Sequence, residues 1–234
     1  MTHIYRCRLE LHDSLYFATR EIGRLYETEP ILHNYALCYA LGFIDSQEYA
    51  TTVAEADEYR YFCHEQMPKY SEHLTPLNEQ KIYVTPGRSL FHTSVLNTWK
   101  YASNNYHVKT EKTQKNIPSF GRAKEIEVES QFEFFILSDR TLDLPPKKWI
   151  RLGKWMSKAE VVFELLPAIK LQQGMFTCTH PLNPLDVMFT NRVFSYDVIN
   201  MPPVSLIRNS QIEGQYYALD QNLNIPANMQ YRFK

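Results

Sequence analysis

The sequence predicts an α+β fold in which strands outnumber helices. Three segments alternate apolar and polar side chains with a period of two, at residues 5–11, 126–134 and 159–165, and this period is typical of strands with one buried face. Only two segments have helical spacing, at residues 34–42 and 46–66. Most of the 13 prolines lie in the second half of the chain, where they favour short strands and loops over helices.

The strand predictions differ in clarity. In residues 5–11 the odd-numbered positions are apolar and the even-numbered ones are charged, so one face is expected to be buried. Residues 126–134 repeat the pattern, and Glu127, Glu129 and Glu133 are expected on a solvent-exposed face rather than in a metal cluster. The remaining strands are expected at residues 159–165 and, less regularly, at residues 95–101 and 187–199.

The two predicted helices have recognisable ends. The first is expected to begin at Asn34, whose short polar side chain suits an N-cap, and to end at Gly42, which suits a left-handed turn. The second covers residues 46–66 and ends before Pro68. A chain of 234 residues can bury a sizeable core, and we expect residues 1–234 to form a single domain.

The composition is that of a globular protein, with 44% hydrophobic residues and only 7 glycines. No apolar run of about 18 residues occurs, and the first ten residues lack the apolar core of a signal peptide, so we expect a cytoplasmic protein without membrane contact. The cysteines are scattered without a CxxC motif, which predicts buried free thiols rather than disulfides or a zinc site. They are Cys7, Cys38, Cys63 and Cys178.

The net charge of −1 hides an uneven distribution along the chain. Residues 1–79 contain 6 Lys and Arg against 13 Asp and Glu, residues 80–160 contain 14 against 8, and residues 161–234 contain 5 of each. This asymmetry indicates that one face meets a polyanion, while an acidic face meets a protein partner or solvent.

The first basic segment, residues 100–124, lies between two predicted strands and has a single acid, Glu111. It is expected to be a long polar hairpin loop, and loops of more than about 12–15 residues are usually functional or disordered. The segment is either a solvated loop or a basic finger that becomes ordered on a phosphate backbone. Its cations are Lys100, Lys109, Lys112, Lys115, Arg122 and Lys124.

The second basic segment, residues 147–158, reads KKWIRLGKWMSK and contains no acid. Cations bind phosphates, and an indole that stacks on a base contributes about 1–3 kcal/mol. The mixture suits single-stranded nucleic acid better than a duplex, whose bases are hidden. Alternatively, the tryptophans belong to the core and the cations only flank a loop, with Gly153 at a bend or a close backbone approach. The residues concerned are Lys147, Lys148, Trp149, Arg151, Lys154, Trp155 and Lys158.

The sequence contains no HExxH, CxxC, GxSxG or GxxxxGK[ST] motif. RNA cleavage without a metal needs only a proton acceptor near a 2′-hydroxyl. His12, His33 and His180 are candidates for that base, and their spacing favours none of them.

Several blocks of the sequence resemble a known family. The longest is ELHDSLYFATREIGRLYETEPILHNYALCYALG at residues 10–42, and the resemblance covers nearly the whole chain. On these blocks the chain is identified as a member of a family from the type I-D CRISPR–Cas system, the Cascade subunit that holds the 5′ handle of the guide RNA. This Cas-five-like family belongs to the RAMP superfamily. The other blocks are YVTPG, RLGKWMSKAEV, HPLNPLD and INMPPVSLIRN.

The resemblance implies an RRM-like ferredoxin fold with a protruding basic β-hairpin thumb at residues 100–124 and a strand-rich C-terminal extension at residues 160–234. It implies a non-catalytic subunit without a cofactor that caps the 5′ handle of the crRNA and supports PAM-proximal recognition of target DNA in antiviral defence. The implied partners are the crRNA, the backbone and large subunits of Cascade, and target DNA near the PAM. The expected RNA-binding residues are Arg20, Arg24, Lys109, Lys112, Lys115, Arg122, Lys124, Lys147, Lys148, Arg151, Lys154, Trp155 and Lys158.

Two other functions stay open from the sequence. The first is a metal-independent endoribonuclease that processes precursor crRNA, because some relatives in other CRISPR subtypes cut RNA with histidine, lysine and tyrosine. The second is a DNA-side role in which Lys112 or Lys115 contacts the target duplex beside the PAM. Cleavage by the isolated protein without divalent ions would indicate the first, and cross-linking to PAM-containing duplex would indicate the second.

Overall fold

The computed structural model describes residues 2–44, 69–101, 119–220 and 223–233. Strands dominate these ranges, as the sequence predicts, and no helix in them is long and apolar enough to cross a membrane. The described helices are α1 (Asn34–Leu41), α2 (Tyr70–Glu79) and α3 (Pro184–Val187). The described strands are β1 (His3–Leu11), β2 (Arg20–Ile22), β3 (Leu25–Glu27), β4 (Ile31–Leu32), β5 (Ile82–Val84), β6 (Gly87–Phe91), β7 (Ser94–Tyr101), β8 (Ser119–Ile126), β9 (Gln131–Ser138), β10 (Lys147–Leu152), β11 (Ser157–Leu165), β12 (Leu171–Cys178), β13 (Arg192–Ile199), β14 (Leu206–Asp220) and β15 (Leu223–Pro226).

β1 lies inside the largest sheet, here called the central sheet. Its strand order is β10-β11-β1-β9-β6-β4, and β5 pairs with the C-terminal end of β9. β1 is antiparallel to both β11 and β9, so it is hydrogen-bonded along both edges. The strands predicted at residues 5–11 and 159–165 are confirmed. The predicted core residues of β1 are all buried: Tyr5, Cys7, Leu9 and Leu11.

The strand predicted at residues 126–134 is wrong. Ile126 ends β8, a turn follows in which Glu129 has a φ of 67°, and β9 begins only at Gln131. The alternation of apolar and acidic residues simply continues through the turn, so periodicity alone could not reveal the break. β9 itself is buried on both faces from Phe132 to Ser138, which is typical of a strand covered on two sides.

Glu133 is therefore not on a solvent-exposed face, as the alternation suggested. It is 4% exposed, and its carboxylate lies 2.6 Å from Arg88 Nη2 and 3.3 Å from Arg6 Nε. A buried carboxylate needs such partners, because an unpaired charge in the interior is costly. The two arginines explain how an acidic residue is accommodated on a covered strand.

The first predicted helix is confirmed, but its cap is one residue earlier than expected. His33 precedes α1, and its Nδ1 accepts a hydrogen bond from the backbone N–H of Tyr35 at 3.2 Å. Asn34 lies inside the helix and is buried, and its side chain donates to Asp186. Gly42 ends the helix with a φ of 74°, as predicted. The second predicted helix, residues 46–66, lies outside the described residues.

The C-terminal strands predicted from residue 160 divide between two sheets. β11 belongs to the central sheet, and β12, β14 and β13 form a second sheet in that order, with β15 paired to the end of β14. The strand predicted at residues 187–199 begins only at Arg192, because Asn183 caps a short helix whose first residue is Pro184. The segment that follows β12 meets the central sheet where Phe135 contacts His180, with ring centroids 5.3 Å apart.

The central sheet contains part of a ferredoxin-like arrangement. A β-α-β-β-α-β unit has its second helix before the last strand, whereas residues 139–156 form a loop, β10 and a turn before β11. α1 packs against β10 and β5, and α2 packs against β5. The described architecture is thus a sheet-rich α+β fold with few helices, and the RRM-like unit with its thumb stays a prediction.

Candidate nucleic-acid interface

The basic segment at residues 147–158 is a β-hairpin. β10 carries its first half, residues 153–156 form a tight turn, and β11 begins at Ser157. Gly153 has a φ of 71°, and a Cβ there would lie 2.6 Å from the carbonyl oxygen of Tyr16. The close backbone approach predicted at Gly153 is confirmed, and it holds the turn against the loop that follows β1.

Lys148 lies on the face of this hairpin that packs against α1. Its ammonium donates a hydrogen bond to the carbonyl oxygen of Leu41 at 2.6 Å, and Ile150 and Leu152 on the same face are buried. A cation at a helix C-terminus satisfies a carbonyl without an intrahelical partner and interacts favourably with the helix dipole. Because its ammonium is engaged within the chain, we leave Lys148 out of the proposed RNA surface.

Two cations on the outer face are also paired within the chain. Lys147 Nζ lies 2.8 Å from Glu160 Oε1, and Arg151 Nη1 lies 3.7 Å from Asp13 Oδ2. Lys154 has no ion pair among the residues that the structure describes. Exposed pairs of this kind contribute little to stability, but they explain how a stretch of five cations is tolerated without a bound polyanion.

The hairpin tryptophans are surface residues, so the alternative that places them in the core is wrong. Trp149 is 47% exposed and Trp155 is 52% exposed. Trp155 stacks on Tyr16, with ring centroids 4.5 Å apart. Lys158 Nζ lies 4.0 Å from the centroid of a Trp149 ring, and His12 meets that indole edge-on at 4.8 Å. Both indoles are held in place at the surface, as base stacking requires.

β2, β3, β8 and β7 form a separate sheet in that order, here called the small sheet. β3 pairs with β8 in parallel, whereas the other pairs are antiparallel. The register places Ile22 opposite Leu25, and Leu25 opposite Arg122. Alternation along each strand then gives one face a mixture of apolar, aromatic and basic side chains. They are Arg20, Ile22, Leu25, Phe120, Arg122 and Lys124, with Glu27 among them.

Two of the predicted RNA-binding cations on the small sheet are paired with carboxylates. Arg20 Nη2 lies 2.8 Å from Glu27 and 2.7 Å from Glu29. Lys124 Nζ lies 3.8 Å from Glu27. Their positive charge is therefore partly cancelled by acids from the acidic N-terminal third of the chain.

Arg24 and Arg122 differ, because neither has an ion pair within the described ranges. Together with Ile22, Leu25 and Phe120 they line a concavity of about 380 Å³. The backbone N–H of Arg122 donates to the carbonyl oxygen of Arg24 at 2.9 Å, which keeps the two residues adjacent. Guanidinium groups bind phosphate in a bidentate manner, and the apolar floor suits a base or a sugar. We call this feature the Arg24–Arg122 concavity.

The opposite face of the small sheet carries two aromatic residues that the sequence reasoning missed. Trp99 is 42% exposed and lies over Gly121, where a Cβ would be 2.1 Å from the indole. Tyr26 shares this face through its register with Ala123. The only sequence signal was that an aromatic residue and a glycine occur in two adjacent predicted segments, and their pairing could not be read from that.

Residues 102–118, which contain Lys109, Lys112 and Lys115, lie outside the described residues. The two ends of the segment predicted as a thumb are strands: β7 reaches Tyr101, β8 starts at Ser119, and the two are antiparallel. An RNA-contacting thumb at residues 100–124 thus remains a prediction.

The three histidines proposed as a catalytic base have different environments. His33 and His180 are buried, and burial lowers the pKa of His33 to about 4 and that of His180 to about 3. His12 is exposed beside Trp149. Of the three, His12 alone is open to an RNA 2′-hydroxyl.

A groove of about 550 Å³ lies where β4 and β6 meet the C-terminal sheet, and it also escaped sequence reasoning. Arg88 and Arg208 line it together with Arg20. Neither Arg88 nor Arg208 belongs to a basic segment, so no local pattern marks them. Only the topology brings them together.

The described ranges contain no group of three His, Cys, Asp or Glu side chains that could hold a metal ion. Cys7, Cys38 and Cys178 are buried free thiols, as predicted, and burial raises the pKa of each. Cys63 lies outside the described ranges.

Comparison with known proteins gives a direct match. The family described as type I-D CRISPR-associated protein Cas5/Csc1 matches residues 2–234. The chain belongs to this family. Proteins of the Cas5 type are generally structural subunits of Cascade. No protein of curated function matches the sequence.

Two solved structures are also similar to this Cas5/Csc1 chain. One is a chain of a type III-B Cmr-β complex bound to cognate target RNA and AMPPnP, with a TM-score of 0.48 and 9% identity over 89% of this chain and 86% of that chain. The other is from Cmr-β bound to cognate target RNA, with a TM-score of 0.42 and 11% identity over the same shares.

Two sequence blocks of this Cas5/Csc1 chain, YVTPG and HPLNPLD, meet in the core. Tyr83 donates a hydrogen bond to Asp186 Oδ2 at 2.8 Å, and Asn34 donates to the same oxygen at 3.0 Å. Burial raises the pKa of Asp186 to about 7, although its hydrogen bonds act in the opposite direction. These contacts stabilise the fold, and Tyr83 and Asp186 themselves are buried away from the exposed cationic surface.

Proposed function

We infer that this chain is a non-catalytic, RNA-binding structural subunit of a type I-D CRISPR effector complex that caps the 5′ handle of the crRNA in the cytoplasm. The observation that carries the proposal is the Arg24–Arg122 concavity, in which two arginines without carboxylate partners among the described residues lie beside Phe120 and Ile22. The chain that contains this concavity belongs to the type I-D Cas5/Csc1 family.

The chemistry of this concavity favours a single strand. Phosphates bind to guanidinium groups regardless of sequence, whereas an unpaired base also needs an apolar or aromatic surface. The hairpin at residues 147–158 supplies a second surface of the same kind through Lys154 and Trp155. Both surfaces adjoin the loop after β1, since Trp155 stacks on Tyr16 and Arg20 follows in the same connection.

Contacts with other subunits are part of the proposal. Phe194 and Tyr196 lie two positions apart on β13 and are each more than 40% exposed, and neighbouring exposed apolar side chains are typical of protein interfaces. The backbone and large subunits are the proposed partners. Target DNA beside the PAM would be reached by Lys112 or Lys115.

The test is binding of guide RNA, with and without its 5′ handle, to the purified chain and to the assembled complex at several salt concentrations. For the double variant Arg24→Glu/Arg122→Glu we expect weaker, less handle-dependent binding. We also expect the slope of log affinity against log salt to fall by about 0.7 for each phosphate that the variant no longer binds.

The matched control is Arg140→Glu/Lys170→Glu, which reverses the same number of exposed cations in loops outside the small sheet. This control should keep the handle preference and the salt slope. Equal losses in both double variants would indicate a general charge effect. Unchanged binding in Arg24→Glu/Arg122→Glu would refute the proposed site.

The endoribonuclease alternative now depends on His12, because the other two candidate bases are buried. Incubation of precursor crRNA with the purified chain in EDTA tests it. We expect no specific product. A product that disappears in His12→Ala would establish cleavage and overturn the non-catalytic assignment.

A further inference from the structure

The groove between the central and C-terminal sheets has the chemistry of a cleft for a phosphate backbone. Arg20, Arg88 and Arg208 enter it from β2, β6 and β14. The amides of Asn200 and Asn209 line it as well. Arginine and amide side chains are common donors to phosphate oxygens in nucleic-acid complexes.

Two of these arginines are fixed in place by carboxylates. Arg88 donates to Glu133 through Nε at 3.0 Å and Nη2 at 2.6 Å, and Arg20 lies 2.7 Å from Glu29, which also lines the groove. Their charge is partly neutralised, so they shape one side of the groove more than they attract an anion.

Arg208 is the open cation of the groove. It is exposed and has no ion pair in the part of the chain that the structure describes. Its cross-strand neighbour is Asp197, whose carboxylate instead accepts a hydrogen bond from Asn209 Nδ2 at 2.7 Å. Arg208 therefore remains available to an anionic ligand, while the Asn209 amide is engaged by Asp197.

Much of the remaining lining is apolar, beside the polar Ser89, His92 and Thr179, and the apolar part favours one kind of polyanion. Pro30, Leu90, Pro181 and Val198 line the groove, and Leu90 is 46% and Val198 57% exposed. A duplex presents mainly its phosphates outward, whereas the sugars and bases of an unpaired strand can pack on apolar side chains. The mixture of one open arginine with exposed aliphatic side chains therefore fits a single strand.

We propose that this groove binds the phosphodiester backbone of a single-stranded segment of the same RNA, which runs from the Arg24–Arg122 concavity past Arg20 to Arg208. Arg20 connects the two sites, since it lies on the basic face of the small sheet and also lines the groove. This inference rests on the proposed function and assigns the RNA a second anchoring point on the C-terminal sheet.

Hydroxyl-radical footprinting of guide RNA in the assembled complex tests the path. In Arg208→Glu and Arg208→Ala we expect one or two nucleotides to become unprotected, next to those that Arg24→Glu/Arg122→Glu exposes. The salt slope should fall by about 0.7 in each Arg208 variant, and Arg208→Lys, which keeps the charge, should restore both readouts.

The control is Arg192→Glu, which changes another exposed arginine of the same sheet that pairs with Glu213 and does not line the groove. A normal footprint in Arg208→Glu, together with reduced protection in the Arg24/Arg122 variant, would refute RNA binding in the groove. The proposed function would then still hold. Normal footprints in both would overturn both. Failure of Arg208→Glu to join a complex that retains normal protection would identify a protein contact and overturn the RNA path.

Discussion

Burial holds two histidines neutral, and each of them donates a hydrogen bond to a backbone carbonyl. His33 accepts from the Tyr35 N–H through Nδ1, and its Nε2 donates to the carbonyl oxygen of Val204 at 3.1 Å. His180 donates from Nε2 to the carbonyl oxygen of Pro86 at 2.7 Å. Protonation would place a positive charge in the core, and for His33 it would also remove the acceptor that caps α1.

These two histidines make the fold sensitive to acid. Burial lowers their pKa values to about 4 and about 3, below the 6.5 of an exposed histidine. The unfolded chain therefore binds more protons between pH 6.5 and 4, and their contribution to stability is lost as pH falls through this window. We expect the free energy of unfolding to depend less steeply on pH in His180→Gln than in the wild type.

The measurement is urea unfolding at several pH values from 7 to 4.5, with the exposed His92→Gln as control. Asp186 acts in the opposite sense, because its raised pKa of about 7 favours the folded state at low pH. The Asp186 contribution is the same in His180→Gln and in the wild type, so it cancels when their pH slopes are compared. Identical pH slopes in His180→Gln and wild type would contradict the assignment.

At the scale of elements, the β10–β11 hairpin has two different faces. Lys148 bonds to the end of α1, and Lys154 is exposed in the turn without an ion pair among the described residues. The two lysines lie six positions apart in one basic segment. Lys148 stabilises the fold, whereas Lys154 is exposed at the surface.

Replacing each lysine by methionine should separate these effects. Lys148→Met loses a hydrogen bond and a favourable helix-end charge, so we expect a loss of about 1 kcal/mol in unfolding free energy and an unchanged RNA salt slope. Lys154→Met should leave the unfolding free energy unchanged and reduce the slope. Urea unfolding and RNA titration give both readouts, and the reverse pattern would show that the faces are wrongly assigned.

The sequence pattern predicted a strand or helix correctly where the same face of that element is buried along its whole length. β1 and β11 follow their alternation because one face of each is buried, and Gly42 ends α1 as expected. The alternation in residues 126–134 failed because it continues across a turn. The N-cap was placed at Asn34 because asparagine is the commoner cap, while the structure uses the ring of His33 and sends Asn34 into the core.

The sequence predicted individual residues of the candidate site, but not which of them lie next to one another. The sequence identified Arg24 and Arg122 as cations, and only the parallel pairing of β3 with β8 makes them neighbours. Conversely, Lys147 and Arg151 gained carboxylate partners from β11 and from the loop after β1. Sequence reasoning could not provide these pairings, because they depend on strand register and on the tertiary fold.

At the scale of the whole molecule, Glu133 connects three strands and the C-terminal sheet. It pairs with Arg88 of β6 and with Arg6 of β1, and Arg6 also pairs with Asp220 at the end of β14. The network is largely buried around Glu133 and opens to solvent at Asp220. Charge pairing thus helps to hold the C-terminal sheet against the central one.

Glu133→Gln should be strongly destabilising. It leaves two arginines beside a buried neutral amide, and breaking a buried ion pair costs about 3–5 kcal/mol. The expected result is a markedly lower urea midpoint. Glu164→Gln, which changes an exposed glutamate on β11, is the control. If the two variants unfold at the same midpoint, the network does not hold the sheets together.

The parallel pairing of β3 with β8 has a consequence for the order of folding. β7 and β8 can pair as a local hairpin, but β3 comes from near the N-terminus and is far away in sequence. Closing so long a loop is slow compared with forming a hairpin. A chain emerging from the ribosome would carry Arg24 long before Arg122 is made, and the concavity between them would form only when the N-terminal strands dock on the finished hairpin.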